Sequence, residues 1–115
     1  MTTLKVLDTA IELVREVKPL VDALERVDAD LARQLWRATK SVPAQIGEAE
    51  YARKGNGAAK LQGALAEARE AKVHLRVAVA AGYLPMRDVG AVLALVDSVC
   101  ARLYTLVWRQ RPRRA

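Results

Sequence analysis

A chain of 115 residues is one domain's worth of sequence, long enough to bury a core without disulfides or metals. Its 52% hydrophobic content is built from Ala, Leu and Val, with no Phe and only six Gly and four Pro, which excludes an all-β architecture and predicts helices. The formal charge of +6 is uneven, because Arg109, Arg111, Arg113 and Arg114 crowd the C-terminal end; residues 1–108 read as the folded domain and 109–115 as a basic, flexible tail.

The first helical segment runs from about Thr3 to Arg26. Leu4, Leu7, Ile11, Val14, Val17, Val21 and Leu24 follow steps of three and four. Pro19 falls within it and predicts a kink, since proline removes one helical hydrogen bond and crowds the preceding turn. Asp28 or Asp30 then caps a second segment over Ala29 to Arg53, whose stripe is Leu31, Leu35, Ala38, Val42, Ile46 and Ala49, with a second kink expected at Pro43. Lys54-Gly55-Asn56-Gly57 is a clear break.

The third segment covers about Ala58 to Ala81, with Leu61, Leu65, Ala68, Leu75 and Val79 on one side. Gly82 is placed as its C-terminal cap and Pro85 prevents continuation. The fourth runs from Met86 to Trp108. Short connections favour antiparallel neighbours, so the expected fold is an all-α, antiparallel four-helix bundle kinked at Pro19 and Pro43.

The polar residues of the fourth segment, Gly90, Asp97, Ser98, Arg102 and Thr105, span roughly 140° of a helical wheel at 3.6 residues per turn. The remaining arc is almost wholly apolar, whereas a surface helix needs a stripe of only about 100°. Either the segment is deeply buried in a monomer or it lies in a subunit contact. A four-helix bundle has no central helix, so a subunit contact is expected. Asp97 and Arg102 would each cost ~2.5–3.5 kcal/mol at a bilayer centre, so a membrane span is not expected. Asp8 and Glu12 interrupt any apolar leader, Cys100 is the sole cysteine, and a reducing, cytoplasmic location fits both.

Catalytic and metal patterns are absent. Glu70 and His74 stand four apart, whereas the helical di-iron signature needs Glu and His three apart, twice. Cys100 and the single histidine have no spacing that suggests a nucleophile and base. No metal or cofactor is expected, and the reading is a non-enzymatic binding or assembly module.

Basic residues do cluster. Arg33, Arg37 and Lys40 share a face of the second segment, Arg69, Lys72 and Arg76 a face of the third, and Arg53, Lys54 and Lys60 surround the break between them. These faces are either ordinary solvated surface or, with the Arg109, Arg111, Arg113 and Arg114 tail, a site for the phosphates of RNA or DNA. Trp36 beside Arg37 suits stacking on a base or anchoring a partner subunit. The alternative function is a structural or protein-interaction bundle that binds no nucleic acid.

The run Gln34-Leu35-Trp36-Arg37-Ala38, followed by Ser41-Val42-Pro43-Ala44-Gln45-Ile46-Gly47-Glu48, resembles the signature of the bacterial four helix bundle protein family, also called the 23S rRNA intervening-sequence protein family. Ala64 to Glu70 and Gly82-Tyr83 resemble its third helix and third turn. The positions carried over are Gln34, Arg37, Ser41, Pro43, Ile46, Glu48 and Glu70. Trp36 stands in place of an arginine, Gln45 in place of asparagine, Ala49 in place of glycine, and Ala66-Glu67 where the family often has Gly-Ser. The resemblance implies an up-down-up-down order of the helices, a homopentameric ring and, in the branch that serves diversity-generating retroelements, partnership with nucleic acid and a reverse transcriptase-like protein.

Overall fold

A computed structural model describes residues 3–52 and 56–109. Four helices fill it: α1 (Thr3–Glu25), α2 (Ala29–Tyr51), α3 (Asn56–Ala80) and α4 (Met86–Arg109). Each packs on its neighbour in chain order, and α4 closes back on α1. The result is the expected up-down-up-down bundle, with the α2–α3 contact its most extensive.

Local chemistry accounts for the ends of the elements. The Asp28 carboxylate accepts a hydrogen bond from the Leu31 amide at 3.0 Å, satisfying an amide that the first turn leaves without a helical partner. At the far end of α3, the Gly82 amide donates to the Val79 carbonyl (3.0 Å) and the Tyr83 amide to the Ala78 carbonyl (2.9 Å). This pair of bonds needs a left-handed residue between them, and Gly82 supplies it with φ of +77°. Pro19 and Pro43 each lie inside one continuous helix. Pro43 offers no amide to the Thr39 carbonyl one turn back. The fully buried Thr39 hydroxyl donates to the Leu35 carbonyl at 2.7 Å, so that polar atom is satisfied inside the core.

The core is aliphatic and threaded with alanine. Leu13, Leu24, Leu35, Ile46, Leu61, Leu75 and Leu103 are wholly enclosed, with Ala38, Ala64, Ala68, Ala71 and Ala78 letting α2 and α3 approach. The expected stripes hold on α2 and α3 apart from their last members, Ala49 and Val79, which are half-buried. On α1 the buried line is Val6, Ala10, Leu13, Val17, Leu20, Val21 and Leu24 instead, and Ile11 is 45% exposed. The expected line steps too tightly to stay on one face: it winds round the helix and meets the buried line only from Val17 onward. The side chain of Leu4 lies outside the described residues.

By length and composition α4 is apolar enough to cross a membrane. In the bundle it buries Val89, Val92, Val96, Val99, Leu103, Leu106 and Val107, and its two central charges are engaged by neighbours. Asp97 pairs with Lys72 of α3 at 2.7 Å, and Arg102 donates to the Thr9 hydroxyl of α1 at 3.3 Å. Helix continues through Arg109, which the sequence places in the tail.

Candidate functional site

A polar seam runs along the outside of the α2–α3 contact. Arg37, Ser41, Gln45 and Glu48 recur at steps of four and three, so they form one edge of α2. Glu70, Glu67, Gly63 and Lys60 form the facing edge of α3 in reverse order, as antiparallel helices require.

At one end of the seam Arg37 forks between two carboxylates. One guanidinium nitrogen donates to Glu70 Oε2 at 2.7 Å, the other to Glu67 Oε2 at 3.3 Å. The hydrogen bond to Glu70, together with both negative charges, holds the guanidinium above its ordinary value. Glu67 is raised, first by burial and then by its hydrogen bond with Glu70. Burial pushes Glu70 up as well, but the Arg37 and Glu67 hydrogen bonds and the Arg37 charge outweigh it, and its carboxyl lies below the ordinary range. His74 sits one turn on, with Nε2 buried, 3.6 Å from Glu70 Oε1 and without a hydrogen-bond partner in the described structure.

In the middle of the seam the Gln45 amide donates to the Ser41 hydroxyl at 3.1 Å and lies over Gly63. At the far end Lys60 and Glu48 pair at 2.7 Å. Beside them Ala44, Gly47, Tyr51, Ala52 and Ala59 line an open, mostly apolar groove of about 680 Å³, in which the Tyr51 ring is almost fully exposed.

Of the family-motif positions, Arg37, Ser41, Glu48 and Glu70 fall on this seam, Ile46 is buried in the core, Gln34 is half-buried, and Pro43 is half-buried within α2. Glu67 and Gly63 belong to the seam as well. Their signal in the sequence is only that they share a helical edge with Glu70, and which helix that edge meets is not encoded locally.

The basic residues proposed for phosphate contact are dispersed. Arg33 pairs with Asp30 on its own helix, and Arg37 is engaged by Glu67 and Glu70. Lys40 is exposed and stands 5.3 Å from the centre of the Trp36 ring, with Lys18 of α1 at 5.5 Å from the same ring. Trp36 therefore sits half-buried in the α1–α2 seam with two ammonium groups over it, a pairing across helices that sequence reasoning missed. Arg109 is exposed at the end of α4. Arg53, Lys54, Arg111, Arg113 and Arg114 lie outside the described residues.

His74 and Cys100 belong to different sides of α3. His74 faces the α2 seam, whereas Cys100 of α4 is half-buried, its thiol pushed up by burial, with Arg69, Lys72 and Asp97 as its charged neighbours. Among the described residues no group of three His, Cys, Asp or Glu is placed to hold a metal ion.

No curated protein matches the sequence significantly. A solved structure with this fold is that of a protein of unknown function from the S23 ribosomal protein family of Bacteroides thetaiotaomicron VPI-5482. It has a TM-score of 0.83 at 23% identity, over 89% of this chain and 97% of that one. The family model described as 23S rRNA-intervening sequence protein matches residues 2–105, nearly the whole bundle, and the chain belongs to that family.

Proposed function

We propose that the protein is a non-enzymatic helical scaffold that works as a homo-oligomer. The observation that carries this reading is the outer surface of α3 and α4. Val73, Met86, Tyr104 and Trp108 are each more than half exposed there, on helices whose inner faces already fill the core. Sedimentation velocity at micromolar concentration tests it. The expected species is a pentamer, the number the family resemblance implies; a clean monomer overturns the reading.

A second element of the reading is nucleic-acid binding through backbone phosphates, as accessory to a nucleic-acid-processing partner such as a reverse transcriptase-like protein. Lys18 and Lys40 converging on Trp36 support it, because cations beside an aromatic ring suit a single strand. So does the arginine-rich C-terminal end. The description of the family names an intervening sequence of 23S rRNA. Phosphate contacts release counterions, so affinity should fall with salt with a log–log slope of about −0.7 per contact on single strands. Lys18→Gln with Lys40→Gln should flatten that slope. Absence of binding to RNA or DNA at about 50 mM salt by the assembled protein leaves the scaffold reading alone, since electrostatic binding is strongest there.

A further inference from the structure

The charges of the bundle are sorted by helix. α1 holds five carboxylates against three cations, while α3 holds four Lys or Arg against two carboxylates. Asp8, Glu12 and Glu16 recur every fourth residue along α1. Their row borders α4, because the adjacent Thr9 hydroxyl accepts from Arg102. Arg69, Lys72 and Arg76 form the corresponding row on α3. It borders α4 from the other side, since Lys72 pairs with Asp97, and Arg69 shares a groove with Tyr104. Glu12 and Lys72 are engaged within the molecule, but Asp8, Glu16, Arg69 and Arg76 enter no ion pair among the described residues, and all four are exposed.

The two rows stand at the same height. Residues 97 and 102 of α4 are about 7.5 Å apart at 1.5 Å per residue. Lys72, level with Asp97, is therefore level with the turn of α1 between Glu12 and Glu16, which lies the same distance beyond Thr9. A neighbouring copy needs only a rotation about an axis parallel to the helices, without a shift along it, to bring one row onto the other. The faces that carry the rows, α1–α4 and α3–α4, meet at α4 and diverge by about 90° in a square bundle. A head-to-tail contact between such faces turns each copy relative to the last, so that it closes into a small ring with α4 toward the axis rather than running on as a straight filament.

We propose that copies of this chain associate head to tail, the acidic α1 row of Asp8, Glu12 and Glu16 in one copy seated on the basic α3 row of Arg69, Lys72 and Arg76 in the next. This rests on the self-association reading above and names its contact. Complementary rows steer the encounter and fix the register, and the Tyr104 groove beside Arg69 supplies apolar area to the same face. The small exposed residues of α4, Gly90, Ala94 and Ala101, are left lining the axis.

The test is charge reversal in the full chain, read by sedimentation velocity at about 150 mM salt with circular dichroism as the check on folding. Arg69→Glu with Arg76→Glu places acid against acid, and Asp8→Arg with Glu16→Arg places base against base. Each pair should weaken association by about 100-fold or more. The chain carrying all four substitutions, with both rows reversed, should assemble again. Folded double variants that stay assembled overturn this contact while leaving self-association standing. Double variants that dissociate and are not rescued overturn charge pairing as its basis. Wild-type chain that sediments as a monomer overturns both. Loss of RNA binding with assembly intact assigns the α3 row to nucleic acid instead.

Discussion

Gln45 on α2 and Gly63 on α3 occupy one space: a methyl group on Gly63 would stand 1.9 Å from Gln45 Oε1 and 2.9 Å from Cδ. The missing side chain of one helix makes room for the amide of the other, and that amide in turn donates to Ser41. Glycine inside a helix costs roughly 1 kcal/mol relative to alanine, so α3 gives up helix propensity at this point in exchange for the fit.

That exchange predicts coupling. Gly63→Ala alone should change stability by less than about 1 kcal/mol, because the gain in helix propensity is offset when Gln45 is pushed off Ser41. In a Gln45→Ala background the same change should stabilise by about 1 kcal/mol. Urea denaturation of the four proteins closes the double-mutant cycle; additive effects would show that the two side chains do not share the space.

The Arg37 fork predicts opposite pH behaviour for its two carboxylates. The folded value of Glu70 lies below its ordinary one, so its contribution is complete above the ordinary carboxylate range and is lost as pH falls through the lowered value. Glu67 is raised, so it favours the folded state in acid, and that contribution is lost as pH rises through the raised value. Glu70→Gln should therefore lower Tm at pH 7, with the deficit closing toward pH 3. Glu67→Gln should gain on wild type as pH rises from acid to neutral. Thermal melts over that range decide the matter, and parallel curves for the two variants would contradict the assignment.

Gly82 should not tolerate a side chain. Space is open around it, with nothing within 4 Å of an added Cβ, so the whole cost of Gly82→Ala is the left-handed backbone at φ +77°. A loss of about 1–2 kcal/mol in chemical denaturation is expected. No loss would mean that the α3–α4 turn readily takes another form.

Core and surface aromatic or aliphatic residues should separate cleanly by assay. Leu75 is fully enclosed, and Leu75→Ala should cost ~2–5 kcal/mol of folding stability. Tyr104 is 55% exposed, and Tyr104→Ala should cost roughly 1 kcal/mol or less in the folded chain while weakening assembly in the ultracentrifuge. Similar unfolding losses for the two variants would place Tyr104 in the core of the single bundle.

The number of helices, their approximate bounds, a cap at the start of α2 and the stop at the end of α3 were legible in the residues alone. Asp28 satisfies an amide three residues away and Gly82 relaxes a backbone angle of its own, so neither needs anything distant in the chain. The α2 core stripe was legible because one dominant apolar line on a helix leaves a single face to bury; on α3, where Val73 and Val77 lie exposed off the core face, the leucines Leu61, Leu65 and Leu75 marked that face. α1 carries two such lines, and only the packing of α2 and α4 against it selected Val6, Ala10 and Leu13 over Ile11. The candidate site depended on tertiary structure most. Arg33, Arg37 and Lys40 read as one basic stripe in sequence, yet Arg37 meets carboxylates 30 and 33 positions away and Lys40 meets a ring shared with Lys18 of another helix. A residue's helical periodicity says which edge of its helix it occupies; which charges stand opposite that edge is set by the neighbouring helix and its register, and the fold alone supplies both.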